Sequence, residues 1–340
     1  MTLKFLKNIL MPILAGIALL GGCSDQGLGP KAPSYAAISY LGQQPLDTVP
    51  WEYAGTPGVR ITTNHYHVYT TVSDPIYQRL MALTLEAAYD QAKKWVPGAV
   101  VAQRMECYVF AQRETWETYT KQYTGEYATT YLRITAGGYS HRGVFAGFDI
   151  GRELTLGMMA HEAWHQFSWL ALKDRLPSAY EEALATQFEA ITWTGTVPRF
   201  ESLQNYRRWQ QLQKAARANK LWELSRILPT HPGQVITNEA KSVDGYYAQI
   251  WALGLWLQEP AQLSALQNML EDARIGKLTR HLRGSGISQS EIDAYSENWN
   301  AAAGMRYTSA YFQGDISTQE ASFRNFTLRV AKDFPPQLQD

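Results

Sequence analysis

The chain is short of cysteine, of net charge and of long apolar stretches, and each shortage removes a class of protein. Two cysteines in 340 residues, Cys23 and Cys107, cannot build a disulfide framework, so stability has to come from packing. Lysine plus arginine and aspartate plus glutamate both number 31. With no basic stripe and no acidic tail, nothing points to nucleic acid or to an anionic membrane surface as a partner. The apolar run Ile9 to Leu20 is about a dozen residues, too few to cross a hydrocarbon core of ~30 Å as a helix. What is present is a chain with 45% hydrophobic content, enough to bury one large core or two modest ones.

Lys4 and Lys7 precede that apolar run and Gly21-Gly22-Cys23 ends it, the pattern of a secretory signal peptide. Leu20-Gly21-Gly22-Cys23 resembles the bacterial lipobox. The resemblance implies removal of residues 1–22, acylation of Cys23 and a membrane anchored through this N-terminal lipid. Ser24, and not Asp, follows the cysteine; by the rule for such lipoproteins this implies the outer membrane of a bacterial cell envelope, facing the periplasm or the cell surface. Loss of residues 1–22 removes Lys4 and Lys7 and no acid, leaving 29 basic residues against 31 acidic ones, which says nothing about substrate. Cys107 is then unpaired and, within the apolar run Cys107-Tyr108-Val109-Phe110, reads as a buried, inert thiol.

Residues 23–55 are rich in Gly, Pro, Ser and Gln without a sustained period, as a tether would be. Arg60 to Val72 carries Thr, Tyr and Val with polar alternation and is expected to form one strand. Asp74-Pro75 supplies helix-start chemistry, and Ile76, Leu80, Leu83 and Ala87 recur at helical spacing up to Trp95, before Pro97-Gly98 stops the pattern. Tyr108 to Ala111 and Gly143 to Ile150 read as further strands. Beyond residue 153 the period is almost wholly helical: 155–172, 179–193, 203–228, 246–259 and 262–274. Strands first and helices afterwards predict an α+β fold, with a small N-terminal mixed β-sheet, a helix packed on it and a mainly α-helical second half. Residues 261–340 are expected to be a helical C-terminal extension, though from residue 276 the signal weakens and gives no role.

Within the first of those helical runs stands His161-Glu162-Ala163-Trp164-His165. Residues four apart share a helix face about 6 Å apart, so both imidazoles can reach one ion. Zinc in catalytic sites takes three protein ligands and a water; this pair supplies two, with Glu162 beside the water position. The third ligand must come from the next helix, where Glu181 and Glu182 compete. Ser178 followed three residues later by Glu181 fits a capping box, which leaves Glu182 as the ligand. Glu189, two turns further on the same face, could accept a hydrogen bond from a ligating imidazole or be a solvated acid. His65, His67 and His141 read as ordinary strand or surface residues.

His161 to His165 followed by Glu182-Ala183-Leu184-Ala185 resembles the gluzincin metallopeptidases, whose second helix commonly reads Glu-Gly-Leu-Ala around the third ligand. Tyr246 to Leu253 is similar to the tyrosine segment of the alanyl-aminopeptidase-like members, and Tyr247 aligns with their transition-state tyrosine; Tyr246 is the alternative. The resemblance spans roughly residues 60 to 260, so residues 56–260 would form the peptidase domain. It implies a Zn2+ cofactor, a peptide or protein substrate, Glu162 as general base and Tyr247 as an oxyanion donor. It also implies that an edge strand before the metal helix pairs with substrate, a part Gly143 to Phe148 could play. Metzincins need Gly and His where Ser168 and Ala171 stand, and the Asn-Glu-x-x-Ser-Asp segment of thermolysin-like enzymes is missing. The rival reading is a non-catalytic, zinc-containing envelope lipoprotein that acts as a binding or assembly module.

Overall fold

A computed structural model describes residues 46–335; the signal segment, Cys23 and most of the tether lie outside these residues. Six strands form one sheet in the order β1-β2-β3-β4-β6-β5, where β1 is Asp47–Tyr53, β2 Thr56–Thr62, β3 Tyr66–Thr70, β4 Met105–Phe110, β5 Gly138–His141 and β6 Val144–Phe148. β3, β4 and β6 run parallel, while β1, β2 and β5 pair antiparallel to their neighbours. The fold is α+β with a mixed N-terminal sheet and a helical remainder, as the order of sequence patterns implies.

Alternation explains how the sheet is covered. On one face Ile61, Val68 and Cys107, none of them exposed, enter the main core with Leu80, Met81 and Leu85 of helix α1 (Pro75–Trp95). Asp74 caps that helix by accepting from the backbone N–H groups of Ile76 and Tyr77. The opposite face carries a smaller core of Phe110, Ala146 and Phe148 under Trp116 of helix α2 (Arg113–Thr124). Helix α3 (Arg152–Ala171) follows β6 and is apolar on nearly every side, because it runs between the sheet and the later helices. Its register on the sheet is set by Gln166, whose Nε2 donates to the carbonyls of Glu106 (2.8 Å) and Gly143 (2.9 Å) while Oε1 accepts from the Cys107 thiol (3.1 Å).

Several sequence expectations are corrected here. β1 occupies residues placed in the tether, so the sheet begins nine residues before position 56. Arg60 to Val72 is two antiparallel strands, because Thr63 donates to the Tyr66 carbonyl and turns the chain at residues 63–65. β6 lies between β4 and β5 and is therefore internal; the edge strand beside α3 is β5, whose four residues are all buried. The helix over 179–193 is shorter, α4 being Ser178–Ala185, after which residues 191–194 and 197–200 form a hairpin, β7 and β8. The run 203–228 breaks after α5 (Tyr206–Arg217).

Helices α6 (Val243–Trp256), α7 (Pro260–Ile275), α8 (Glu297–Tyr311) and α9 (Ile316–Val330) complete the chain. The segment without an assigned role buttresses α4: Asn300 Oδ1 accepts from the Ser178 N–H (2.7 Å), and the Tyr180 and Thr308 hydroxyls bond at 2.6 Å. α6 lies against α4 at Gly254, where an added Cβ would run into Gln187 Nε2 and the Ala183 carbonyl. Gly254→Ala should therefore destabilise by about 1–3 kcal/mol through overpacking, read as a lowered midpoint in urea unfolding; an unchanged midpoint would contradict this packing.

Candidate metal centre

α3 and α4 place three ligand atoms around one point. His161 Nε2 lies 3.3 Å from His165 Nε2 and 3.4 Å from Glu182 Oε2, and His165 Nε2 lies 3.8 Å from Glu182 Oε1. Three ligands bound tetrahedrally at ~2.0–2.1 Å would sit ~3.3 Å apart; in this triangle of side chains the imidazole pair matches that separation, and one Glu182 oxygen faces each ring. Among the described residues, His161, His165 and Glu182 form the group able to hold a metal. The chemistry of the donors agrees, since both oxygens of Glu182 are buried without a hydrogen-bond partner, a costly condition unless a cation answers it.

The loop between the two helices is tied down at several points. Lys173 and Asp174 N–H groups both donate to the Ala273 carbonyl (3.1 and 3.0 Å), and Asp174 Oδ2 accepts from Leu278 N–H (2.6 Å). Arg175 lies flat on Trp169, 3.7 Å from the ring centre, and its Nη1 donates to the Trp169 carbonyl at 2.7 Å. These anchors hold α4 at the distance from α3 that the triangle needs.

Behind each imidazole stands a carboxylate. His161 Nδ1 lies 3.2 Å from Glu189 Oε1; a carboxylate only accepts, so Nδ1 carries the hydrogen and Nε2 is left as the ligand atom. Glu189 is in turn gripped by Arg208 at both oxygens (2.8 Å each) and by Asn205 (3.0 Å). Of the two roles open to Glu189 in the sequence, the outer partner of His161 is the one observed. Glu181 does not close a capping box: Pro177 is the N-cap residue and no side chain caps it. The Glu181 carboxylate accepts from Trp164 Nε1 (2.7 Å) and faces His165 Nδ1 at 3.6 Å. Sequence reasoning missed this role, and missed Arg208 entirely. The available signal was a cation on the same face of α5 as the core residues Leu212 and Ala215.

Glu162 is fully buried, with neither carboxylate oxygen hydrogen-bonded. Burial raises its pKa to about 7, although the two histidines pull the other way. Tyr247 is 1% exposed on α6, and burial together with the charges of Glu182 and Glu162 keeps its phenol protonated. Tyr246 turns its hydroxyl to the Thr230 carbonyl (3.5 Å). Cys107 is the buried thiol expected of it. His141 is a strand residue, the last of β5, and is buried, 6% exposed with Nδ1 3.1 Å from the Tyr131 hydroxyl. Comparison of the chain with protein-family models, with curated proteins and with solved structures returned no match.

Burial alone would depress His161, but Glu182 and Glu189 outweigh it and raise its pKa to about 10, above the ordinary ~6.5 of histidine. The charged ring thus stabilises the ion-free fold fully below about pH 6.5, and this contribution is lost as pH rises through about 10. An ion has to displace that proton. Metal uptake at pH 7 should release about one proton or more, and apparent affinity should fall by about tenfold per pH unit on acidification. Calorimetry in buffers of different ionisation enthalpy measures both, and proton-neutral uptake would refute the assignment.

Proposed function

We propose that this chain hydrolyses peptide bonds, using a divalent ion held by His161, His165 and Glu182, in the manner of the gluzincin metallopeptidases that its motifs resemble. Two imidazole nitrogens and one carboxylate make zinc the first choice of ion. When bound, such an ion supplies Lewis acidity to the attacking water and to the scissile carbonyl. The observation that carries the reading is Glu162: a carboxylate with two unpartnered oxygens, beside the ligand triangle, with its pKa raised to about 7. A base tuned near neutrality can take the proton from the attacking water and return it to the leaving amine. Tyr247, held protonated, supplies a donor for the developing oxyanion.

Peptide is the substrate class favoured by the neighbour of Glu162. β5 is an edge strand, and Ser140 on it donates to the Glu162 carbonyl (3.2 Å). Because β5 is buried and its His141 carbonyl accepts from Tyr123 (3.1 Å), an extended peptide would pair with it only after displacing these covering groups. A purely structural ion would fit less well, because structural zinc sites are closed by four protein ligands and three converge here among the described residues. Delivery to the bacterial envelope through an acylated Cys23 belongs to the same proposal and rests on residues 20–23.

Glu162→Gln should retain the metal and lose about 10²–10⁴-fold in kcat, while Tyr247→Phe should lose about 10²–10³-fold in kcat. Metal analysis combined with hydrolysis of a peptide library tests both. A purified protein that holds no metal, or a Glu162→Gln variant as active as its parent, ends the proposal.

A further inference from the structure

Arg208 is 2% exposed and shares its face of α5 with Leu212 and Ala215. A guanidinium in that position has lost its hydration shell, and protein groups replace it on several sides. Nε and Nη2 donate to the two oxygens of Glu189 at 2.8 Å each, a fork matched to a carboxylate. Nη1 donates to Gln211 Oε1 (3.3 Å), whose own Nε2 donates to Asp244 Oδ1 (2.9 Å) in the first turn of α6. The guanidinium carbon also lies 5.2 Å from the centre of the Tyr247 ring, one helical turn beyond Asp244. Asn205 completes the grip, accepting from the Arg208 N–H (3.2 Å) and donating to Glu189 Oε2 (3.0 Å).

We infer that Arg208 is a positioning residue that couples the metal ligand His161 to Tyr247. Through Glu189 it sets the orientation of the His161 ring. Through its cation–π contact with the ring and the Gln211–Asp244 link it sets where α6 carries the tyrosine. The coupling rests on the metal-binding part of the proposed function alone, whereas what Tyr247 then does in catalysis rests on the peptidase part. Lysine could keep the charge but could neither fork the carboxylate nor lay a planar group on the ring, so the geometry calls for arginine.

The test reads cobalt affinity of the full chain by chelator competition, with circular dichroism and thermal melting to verify folding of each variant. Glu189→Gln should weaken Co2+ binding by about 10- to 100-fold. Tyr247→Leu contributes and removes no ligand, yet should weaken it by roughly 3- to 30-fold, and this effect should largely vanish in the Glu189→Gln background. Tyr247→Phe keeps the ring and should leave affinity within about twofold. Arg208→Lys, which retains the charge should Tyr247→Leu not fold, should cost about tenfold, again only while Glu189 is present. A folded Tyr247→Leu or Arg208→Lys variant with parental Co2+ affinity overturns the inference, as do losses that simply multiply in the double variants. If affinities follow the expected pattern while no peptide is cleaved, the coupling stands and the peptidase reading fails.

Discussion

His161, Glu162, His165 and Glu182 are at most 1% exposed, and gathering four ionisable groups away from water is the constraint around which the rest of this molecule is arranged. Each charge taken out of water costs several kcal/mol unless another group answers it. The answer is built in shells of alternating sign. The imidazoles lie between Glu182 on one side and Glu189 or Glu181 on the other. Glu189, which burial alone would push up, is held below the usual carboxylate range chiefly by Arg208, with His161 assisting. Glu162 has no hydrogen-bond partner on either carboxylate oxygen, and burial outweighs the pull of His165 and His161 to raise its pKa.

Holding these groups in place requires helices that cannot slide. α3 is fastened to the sheet by Gln166, the residue after His165, so the strand register and the ligand position are parts of one arrangement. α4 has only eight residues, too few to be stable alone, and it is enclosed by α6, α8 and the anchored loop before it. The final third of the chain is thus structurally joined to the site, although His161, His165 and Glu182 all lie before it.

Much of this was legible in the sequence. The His161–His165 spacing, the capped helix after Asp74 and the order of strands before helices all follow from short-range rules, in which a few neighbouring residues determine the outcome; Glu182 is the right residue reached on a capping-box argument that the structure does not bear out. The misreadings share a different cause. Ser178 and Glu181 have the spacing of a capping box, but Trp164, on another helix, captures the carboxylate. Gly143 to Phe148 has the pattern of a strand but not the place of an edge, because β5 pairs along it through a turn with positive φ at both Arg142 and Gly143. Arg208 is a polar residue at an apolar position, and its partners lie in α6 and beyond the end of α4. Tertiary partners decide such cases, and local patterns do not contain them.

The bond from the Ser178 N–H to Asn300 spans 122 residues of chain. Its consequence concerns timing. As the polypeptide emerges from the ribosome, His161, His165 and Glu182 appear close together near the middle of the sequence, yet the acceptor that steadies the start of the Glu182 helix arrives much later. An incomplete chain that stops short of Asn300 would carry His161, His165 and Glu182 and still lack this support for the start of α4.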